Sequence, residues 1–230
     1  NADDRDILFW DRIATARENF RALTHQPLSG DTTDIARTHL EDALGLFLTK
    51  LDAGIARACA MNNGIPPTYI AYNATAYDRV TRDDGAPLLD ASGRPCVRVT
   101  RLEPHVLPLF LEGPMHALRH ERDPDSALEL FRRVRDSLLF DAELDMYKVN
   151  ASLAGESYEI GRSRAFTPGW LENESIWLHM EYKYLLAMLE AGLFDQFYAS
   201  AATALVPFLD PAVYGRSTLE NTSFIVSSAH

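Results

Sequence analysis

The segment Phe166-Thr167-Pro168-Gly169-Trp170-Leu171-Glu172-Asn173-Glu174-Ser175-Ile176-Trp177-Leu178-His179 sets the reading of the whole chain. Pro168-Gly169 is a turn signal. After it Ile176, Trp177, Met180, Tyr184 and Met188 recur at helical spacing, which predicts a helix over about 173–190, ended by Gly192. On that reading the turn delivers Trp170, Glu172, Asn173 and His179 into the first helical turns. The pattern fits an amphipathic helix that buries one face. The same residues also suit a sugar, since aromatic rings take its C–H faces and carboxylate and amide groups take its hydroxyl rim. Glu172 and His179 lie seven residues apart, ~10 Å along an α-helix if both are helical. Such a pair spans a sugar and an adjacent anion.

Helical texture extends outward from this segment. A further helix is expected from Leu193 to about Phe208, before a polar tail, Pro211 to His230, that holds the short run Phe224-Ile225-Val226. At the other end, Leu8, Phe9, Ile13, Ala16 and Phe20 predict a helix over 7–23. A second, capped by Thr33 or Asp34, carries Ile35, Leu40, Leu44, Phe47, Leu48, Leu51 and Ile55 to about Met61, where Asn62-Asn63-Gly64 stops it. The texture then changes. Tyr69, Ile70, Tyr72, Thr75 and Tyr77, and the later run Cys96 to Leu102, read as two or three strands around 68–102, with Asp83-Asp84-Gly85 and Ser92-Gly93 as turns. Helices are expected to resume near Pro104, break at Pro114 and restart at Asp125 or Ser126 to Leu139, and 140–167 reads as irregular. The fold class expected is mainly α with a small β excursion.

Composition bounds the function. Of 230 residues, 47% are hydrophobic and 24% charged, ordinary for a globular protein. The net charge of −11, from 33 acidic and 22 basic residues, repels phosphate backbones and anionic membranes, so neither nucleic acid nor membrane is expected as a partner. Cys59 and Cys96 form no disulfide framework and read as buried free thiols of a cytoplasmic protein. No apolar run reaches the length of a membrane span. The start, Asn1-Ala2-Asp3-Asp4-Arg5-Asp6, lacks the features of a signal peptide. The Asn-x-Ser/Thr triplets at Asn73, Asn150, Asn173 and Asn221 would matter only in a secreted protein.

Two other features invite a chemical reading. His116 and His120 are four apart and can share a helical face, but Ala117 stands where a zinc protease needs glutamate and no third ligand is evident, so no metal is expected. Glu41-Asp42, Asp83-Asp84, Glu103, Glu112, Asp141, Glu143 and Asp145 each offer a carboxyl for glycosidic chemistry, which needs acids flanking the scissile bond. In a chain this acidic, most such groups are solvated.

The Phe-Thr-Pro-Gly, Glu-Asn and His elements of 166–179 resemble the catalytic-barrel pattern of the inverting disaccharide phosphorylases of glycoside hydrolase family 94, the cellobiose phosphorylase family. The stretch from Arg164 to Val226, with Pro207-Phe208-Leu209-Asp210 and Tyr214-Gly215-Arg216-Ser217, is similar to the same region. The run Pro108-Leu109-Phe110-Leu111-Glu112-Gly113-Pro114 fits a barrel helix less specifically. The resemblance implies an (α/α)6 barrel or toroid, of which the chain supplies part as a single helical domain over 1–230. It implies inverting phosphorolysis of a disaccharide or oligosaccharide, in which phosphate attacks the anomeric carbon while an aspartic acid protonates the leaving oxygen. Glu172, with Trp170 and Asn173, falls at the sugar-contacting position and His179 at the phosphate-contacting one, where an N–H donor or imidazolium helps hold an anion. Glu220 aligns loosely and carries no role. Inorganic phosphate is the co-substrate and no cofactor is implied.

The departures qualify that picture. Leu171 stands where a lysine is usual in cellobiose-cleaving members, which leaves the sugar open. The general-acid motif Asp-Trp-Asn-Asp and the later Gly-Thr-Ala phosphate segment are absent from this chain. Asn1-Ala2 is compatible with a tag remnant. The expectation is a fragment of a larger catalytic barrel that has no catalytic acid of its own, no phosphorolytic activity alone, and apolar helix faces that favour homo-oligomers. An inverting hydrolase of the same fold class and a non-catalytic helical module binding glycans or proteins are the alternatives.

Overall fold

The computed structural model describes residues 2–25, 27, 29–208, 210–214 and 227–228. Chain contacts divide it into two compact units, 1–49 with 71–105, and 50–70 with 106–230.

The first unit holds helix α1 (Ala2–Thr24), the N-terminal part of helix α2 (Arg37–Met61), and most of an antiparallel pair formed by strands β1 (Ile70–Arg79) and β2 (Val97–Val106). Polar turns build the end of the hairpin. Asp84 Oδ1 accepts the Ala86 N–H at 3.0 Å, and Asp90 Oδ1 accepts those of Ser92 at 2.8 Å and Arg94 at 2.9 Å. No residue of α2 is buried, and Leu40, Leu44, Phe47 and Leu51 are all exposed. Apolar spacing thus made these segments helical without giving their apolar stripes a cover among the described residues.

The second unit holds the core. Helix α3 (Glu112–His120) contributes Met115 and Leu118, and helix α4 (Pro124–Arg135) contributes Ala127, Phe131 and Val134. Asp123 caps α4 by accepting the Ser126 N–H at 2.9 Å, and Pro124 takes the first helical position, where no N–H is needed. Helix α6 (Leu178–Glu190) packs against α3 and helix α7 (Phe194–Ala204), adding Tyr184, Leu185, Ala187 and Met188. Gly113 sits where the chain crosses itself closely. A Cβ there would lie 2.6 Å from the Pro66 carbonyl oxygen and 2.9 Å from the Thr68 nitrogen. Thr68 Oγ1 accepts the Gly113 N–H at 2.8 Å and donates to the Phe110 carbonyl at 3.1 Å.

Between α4 and α6 the chain is largely irregular, as expected, but short elements interrupt it. Strand β3 (Phe140–Asp141) pairs antiparallel with β4 (Met146–Tyr147). Beyond β4 backbone bonds to other segments continue, with an isolated antiparallel bridge between Phe110 and Asn150. The Leu111 N–H donates to the Val149 carbonyl, the Ala151 N–H to the Leu109 carbonyl, and the Val149 N–H to the Ser175 carbonyl at 2.8 Å. After the short helix α5 (Arg162–Ala165) comes β5 (Ser175–Ile176), paired with β6 (Ser227–Ser228); helix α8 (Pro211–Tyr214) lies between α7 and β6.

The expected fold class is overturned. The chain is mixed α/β, helices joined with small antiparallel sheets, and no (α/α)6 barrel or toroid is evident. Backbone pairing accounts for the difference, since 97–106 continues as strand past Pro104 where a helix was expected. Pro114 breaks no helix, because it lies in the first turn of α3, where its missing N–H has no helical partner to lose. Helix α4 ends at Arg135, short of Leu139. Helix α6 begins at Leu178, five residues beyond the expected start at Asn173. Glu220, Asn221 and Phe224-Ile225-Val226 lie outside the described residues.

Candidate functional site

The residues before α6 form a tightly bonded loop. Gly169 (φ +85°), Leu171 (φ +48°) and Glu174 (φ +56°) all adopt the left-handed conformation. For non-glycine residues such a backbone costs of order 1–3 kcal/mol each and persists only where surrounding contacts impose it. Hydrogen bonds within the loop supply such contacts. The Gly169 N–H donates to the Asn173 carbonyl at 2.6 Å and the Trp170 N–H to the Thr167 carbonyl at 3.0 Å. Asn173 Nδ2 donates to the Phe166 carbonyl at 2.8 Å, and the Ser175 hydroxyl donates to the Leu171 carbonyl.

The loop is also held from outside. Asn150, fully buried, donates through Nδ2 to the Glu172 carbonyl and accepts the Glu174 N–H on Oδ1 at 2.6 Å. Two residues earlier, Lys148 Nζ lies 4.0 Å from Glu174 Oε2, with both side chains largely buried. Arg162 donates to Glu172 Oε1 at 3.0 Å, and the Glu172 side chain is 22% exposed.

Three polar atoms of this short stretch are buried without a partner among the described residues: Glu172 Oε2, Asn173 Oδ1 and Trp177 Nε1. Two are acceptors and one is a donor. Trp170, in contrast, is 55% exposed. His179 is exposed at the second residue of α6, a helix that begins with no side-chain cap. The rings of Trp177 and His179 lie 6.0 Å apart, tilted by 55°. The structure therefore places Trp170, Glu172 and Asn173 in one loop ahead of the helix and leaves only His179 in its first turn. The seven-residue helical spacing expected for Glu172 and His179 does not exist, because left-handed residues interrupt it. No protein-family model, curated protein or solved structure matches the chain.

A second polar group is sealed inside the core. Glu181 is fully buried on α6. It accepts the Tyr147 N–H at 3.0 Å on Oε1, and its Oε2 has no partner among the described residues. Burial pushes its carboxyl up to about 8, against the opposing pull of the Tyr147 amide and with a smaller push from Asp145. Tyr147 and Tyr184 meet edge to face at 4.9 Å between centroids, and both hydroxyls, like that of Ser200, lack a partner. Burial raises the Tyr147 phenol to about 12, although the neighbouring Arg135 guanidinium draws it down without reaching hydrogen-bond geometry. Burial likewise holds the Tyr184 phenol well above its usual value.

The remaining sequence candidates do not gather. His116 is exposed, 4.0 Å from Glu112 on its own helix, and His120 is exposed. Among the described residues no group of three or more His, Cys, Asp or Glu is placed to hold a metal ion. Asp141 caps a turn by accepting the Glu143 and Leu144 N–H groups, each at 3.0 Å. Asp145 pairs with Arg135 at 2.8 Å, Glu103 with Arg101 at 3.0 Å and Glu41 with Arg37 at 3.1 Å. Cys59 and Cys96 are free and half-buried. Among the described residues no helix is long and apolar enough to cross a membrane.

Sequence reasoning missed Lys148, Asn150, Arg162 and Glu181. Glu181 had a legible signal, for it interrupts the apolar stripe Leu178, Leu185 and Met188 of α6. Asn150 had none beyond its place in a glycosylation-like triplet.

Proposed function

We propose that the loop 166–179 is a saccharide-contacting element of a glycosyl-transferring enzyme, one that carries out inverting phosphorolysis of a disaccharide or oligosaccharide as the cellobiose phosphorylases do. The observation that carries the reading is the trio Glu172 Oε2, Asn173 Oδ1 and Trp177 Nε1, buried and unpartnered among the described residues, in the same short stretch of chain as the exposed Trp170. Buried polar atoms without partners call for an explanation, and a ligand rich in hydroxyls supplies one, because each hydroxyl both donates and accepts. The strain concentrated at Leu171 and Glu174 supports a functional loop.

In this reading Trp170 stacks on a sugar face, Glu172 and Asn173 accept sugar hydroxyls, and Arg162 holds the second Glu172 oxygen in place. His179 contacts inorganic phosphate, the co-substrate. Its place in the uncapped first turn of a thirteen-residue helix supports this, since that end of the helix favours an anion. The catalytic acid is assigned to no residue of the chain, and no cofactor takes part. The partners are a small sugar and phosphate, the setting is cytoplasmic, and the exposed apolar faces of α1 and α2 support self-association.

The test is a titration of the 230-residue chain with cellobiose and with maltose, with and without inorganic phosphate, following tryptophan emission. The expected result is a saturable change with at least one disaccharide, lost in Trp170→Ala and Glu172→Gln and enhanced by phosphate only while His179 is intact. A response that is absent with both sugars, or unchanged in both variants, overturns the reading.

A further inference from the structure

We infer that Asn150 is a positioning residue for Glu172, and that its side-chain amide, assisted by Lys148, holds the sugar-contacting loop in its strained conformation. This rests on the saccharide reading of that loop.

The geometry leaves Asn150 little other work. Its side chain is fully buried and spends both ends of its amide on one target. Nδ2 donates to the Glu172 carbonyl, and Oδ1 accepts the Glu174 N–H at 2.6 Å. These two backbone groups flank Asn173, so the amide closes a ring across the turn. Only a side chain with a donor and an acceptor on one carbon can do that. Aspartate lacks the donor, and alanine lacks both.

Asn150 is itself fixed by main-chain bonds. Its neighbours Val149 and Ala151 are joined to Leu111 and Leu109, and Val149 also donates to the Ser175 carbonyl. Lys148 lies two residues earlier in the chain. It meets the same turn, 4.0 Å from Glu174 Oε2. Lys148 and Asn150 thus both reach residues 172–174 from the same short segment. One consequence is local to Glu172. With its carbonyl tied to a buried amide and Oε1 on Arg162, its Oε2 keeps a fixed direction without a partner among the described residues. Pre-set geometry of this kind strengthens binding by lowering the ordering cost on association.

The test compares the 230-residue chain with Asn150→Ala, Asn150→Asp, Glu172→Gln and the double variant Asn150→Ala/Glu172→Gln. Three measurements are needed: amide hydrogen exchange at Gly169 and Glu174, exchange in α6, and cellobiose affinity by tryptophan emission. Asn150→Ala is expected to speed exchange at Glu174 at least tenfold while α6 stays protected, and to weaken cellobiose binding about as much as Glu172→Gln does. The double variant is expected to bind within twofold of the weaker single variant, because Asn150 acts through Glu172; a role confined to general stability would instead multiply the two losses. Asn150→Asp keeps the acceptor for Glu174 and is expected to fold, with an intermediate loss. It decides the matter if Asn150→Ala unfolds. Unchanged exchange at Glu174, or losses that multiply in the double variant, overturns the inference. If the parent chain binds no cellobiose, the saccharide reading fails by itself, and exchange at Glu174 and Gly169 still decides whether Asn150 holds the loop.

Discussion

Replacing Glu181 with glutamine tests the physical account of the core directly. The carboxyl is fully buried, receives one N–H from Tyr147 and has a second oxygen with no partner among the described residues. Ionising it there means desolvating a charge with little compensation, so burial pushes it up to about 8. The sign follows from linkage. In the unfolded chain the group ionises near 4.5, and in the folded chain it stays protonated to about 8. Unfolding therefore releases a proton between those values. The contribution is fully present below the unfolded value and is lost as pH rises toward the folded one, at about 1.4 kcal/mol per pH unit. From pH 5 to pH 8 that amounts to a loss of roughly 3–4 kcal/mol from this group. Glutamine keeps an oxygen for the Tyr147 N–H, has nearly the same shape and does not titrate. Urea unfolding of both proteins at several pH values from 5 to 8 gives the difference in stability, and the other titrating groups cancel in it. Glu181→Gln is expected to gain on the parent steadily across that range and then to level off above pH 8. A difference constant to within about 0.5 kcal/mol from pH 5 to pH 8 would refute the reasoning.

Two further substitutions probe the backbone. Gly113→Ala is expected to destabilise by about 1–3 kcal/mol in chemical denaturation, because its Cβ would strike the backbone around Pro66 and Thr68 rather than a side chain able to move aside. An unchanged midpoint would mean that this crossing can open at little cost. At Leu171, with φ +48°, the usual order of alanine and glycine should reverse. Leu171→Gly is expected to unfold at higher urea than Leu171→Ala, by about 1 kcal/mol, and the opposite order would show that the left-handed backbone there is not under strain.

Much of the local structure was legible in the sequence. The apolar spacing in 7–23 and 35–61 marked α1 and α2, and the turn residues at 83–85 and 92–93 marked the bend between β1 and β2. At the site, the Pro-Gly turn and the concentration of Trp170, Glu172, Asn173 and His179 singled out the loop before any contact was known. These are short-range signals, set by the conformational preferences of neighbouring residues and by the period of the apolar positions.

The limits of such signals show at α6. The apolar period runs back from Met188 through Ile176, so the pattern by itself starts the helix near Asn173. Tertiary bonds from Asn150, together with the turn closed between Gly169 and Asn173, keep Leu171 and Glu174 left-handed and delay the helix to Leu178. The same holds for the fold class. Helical spacing records which face of a segment is apolar but not what covers it, and α2 has that spacing with no buried residue. By itself the sequence determined that helices form near 7–23, 37–61 and 178–190, that turns lie at 83–85 and 92–93, and which polar residues cluster along the chain. Tertiary structure alone decided that short strands tie 140–151 and 175–176 into a mixed α/β arrangement, that Asn150 meets Glu172 across 22 residues, and that Glu181 lies in the core. Those outcomes depend on hydrogen bonds and burial between segments distant in the chain, and no local propensity encodes them.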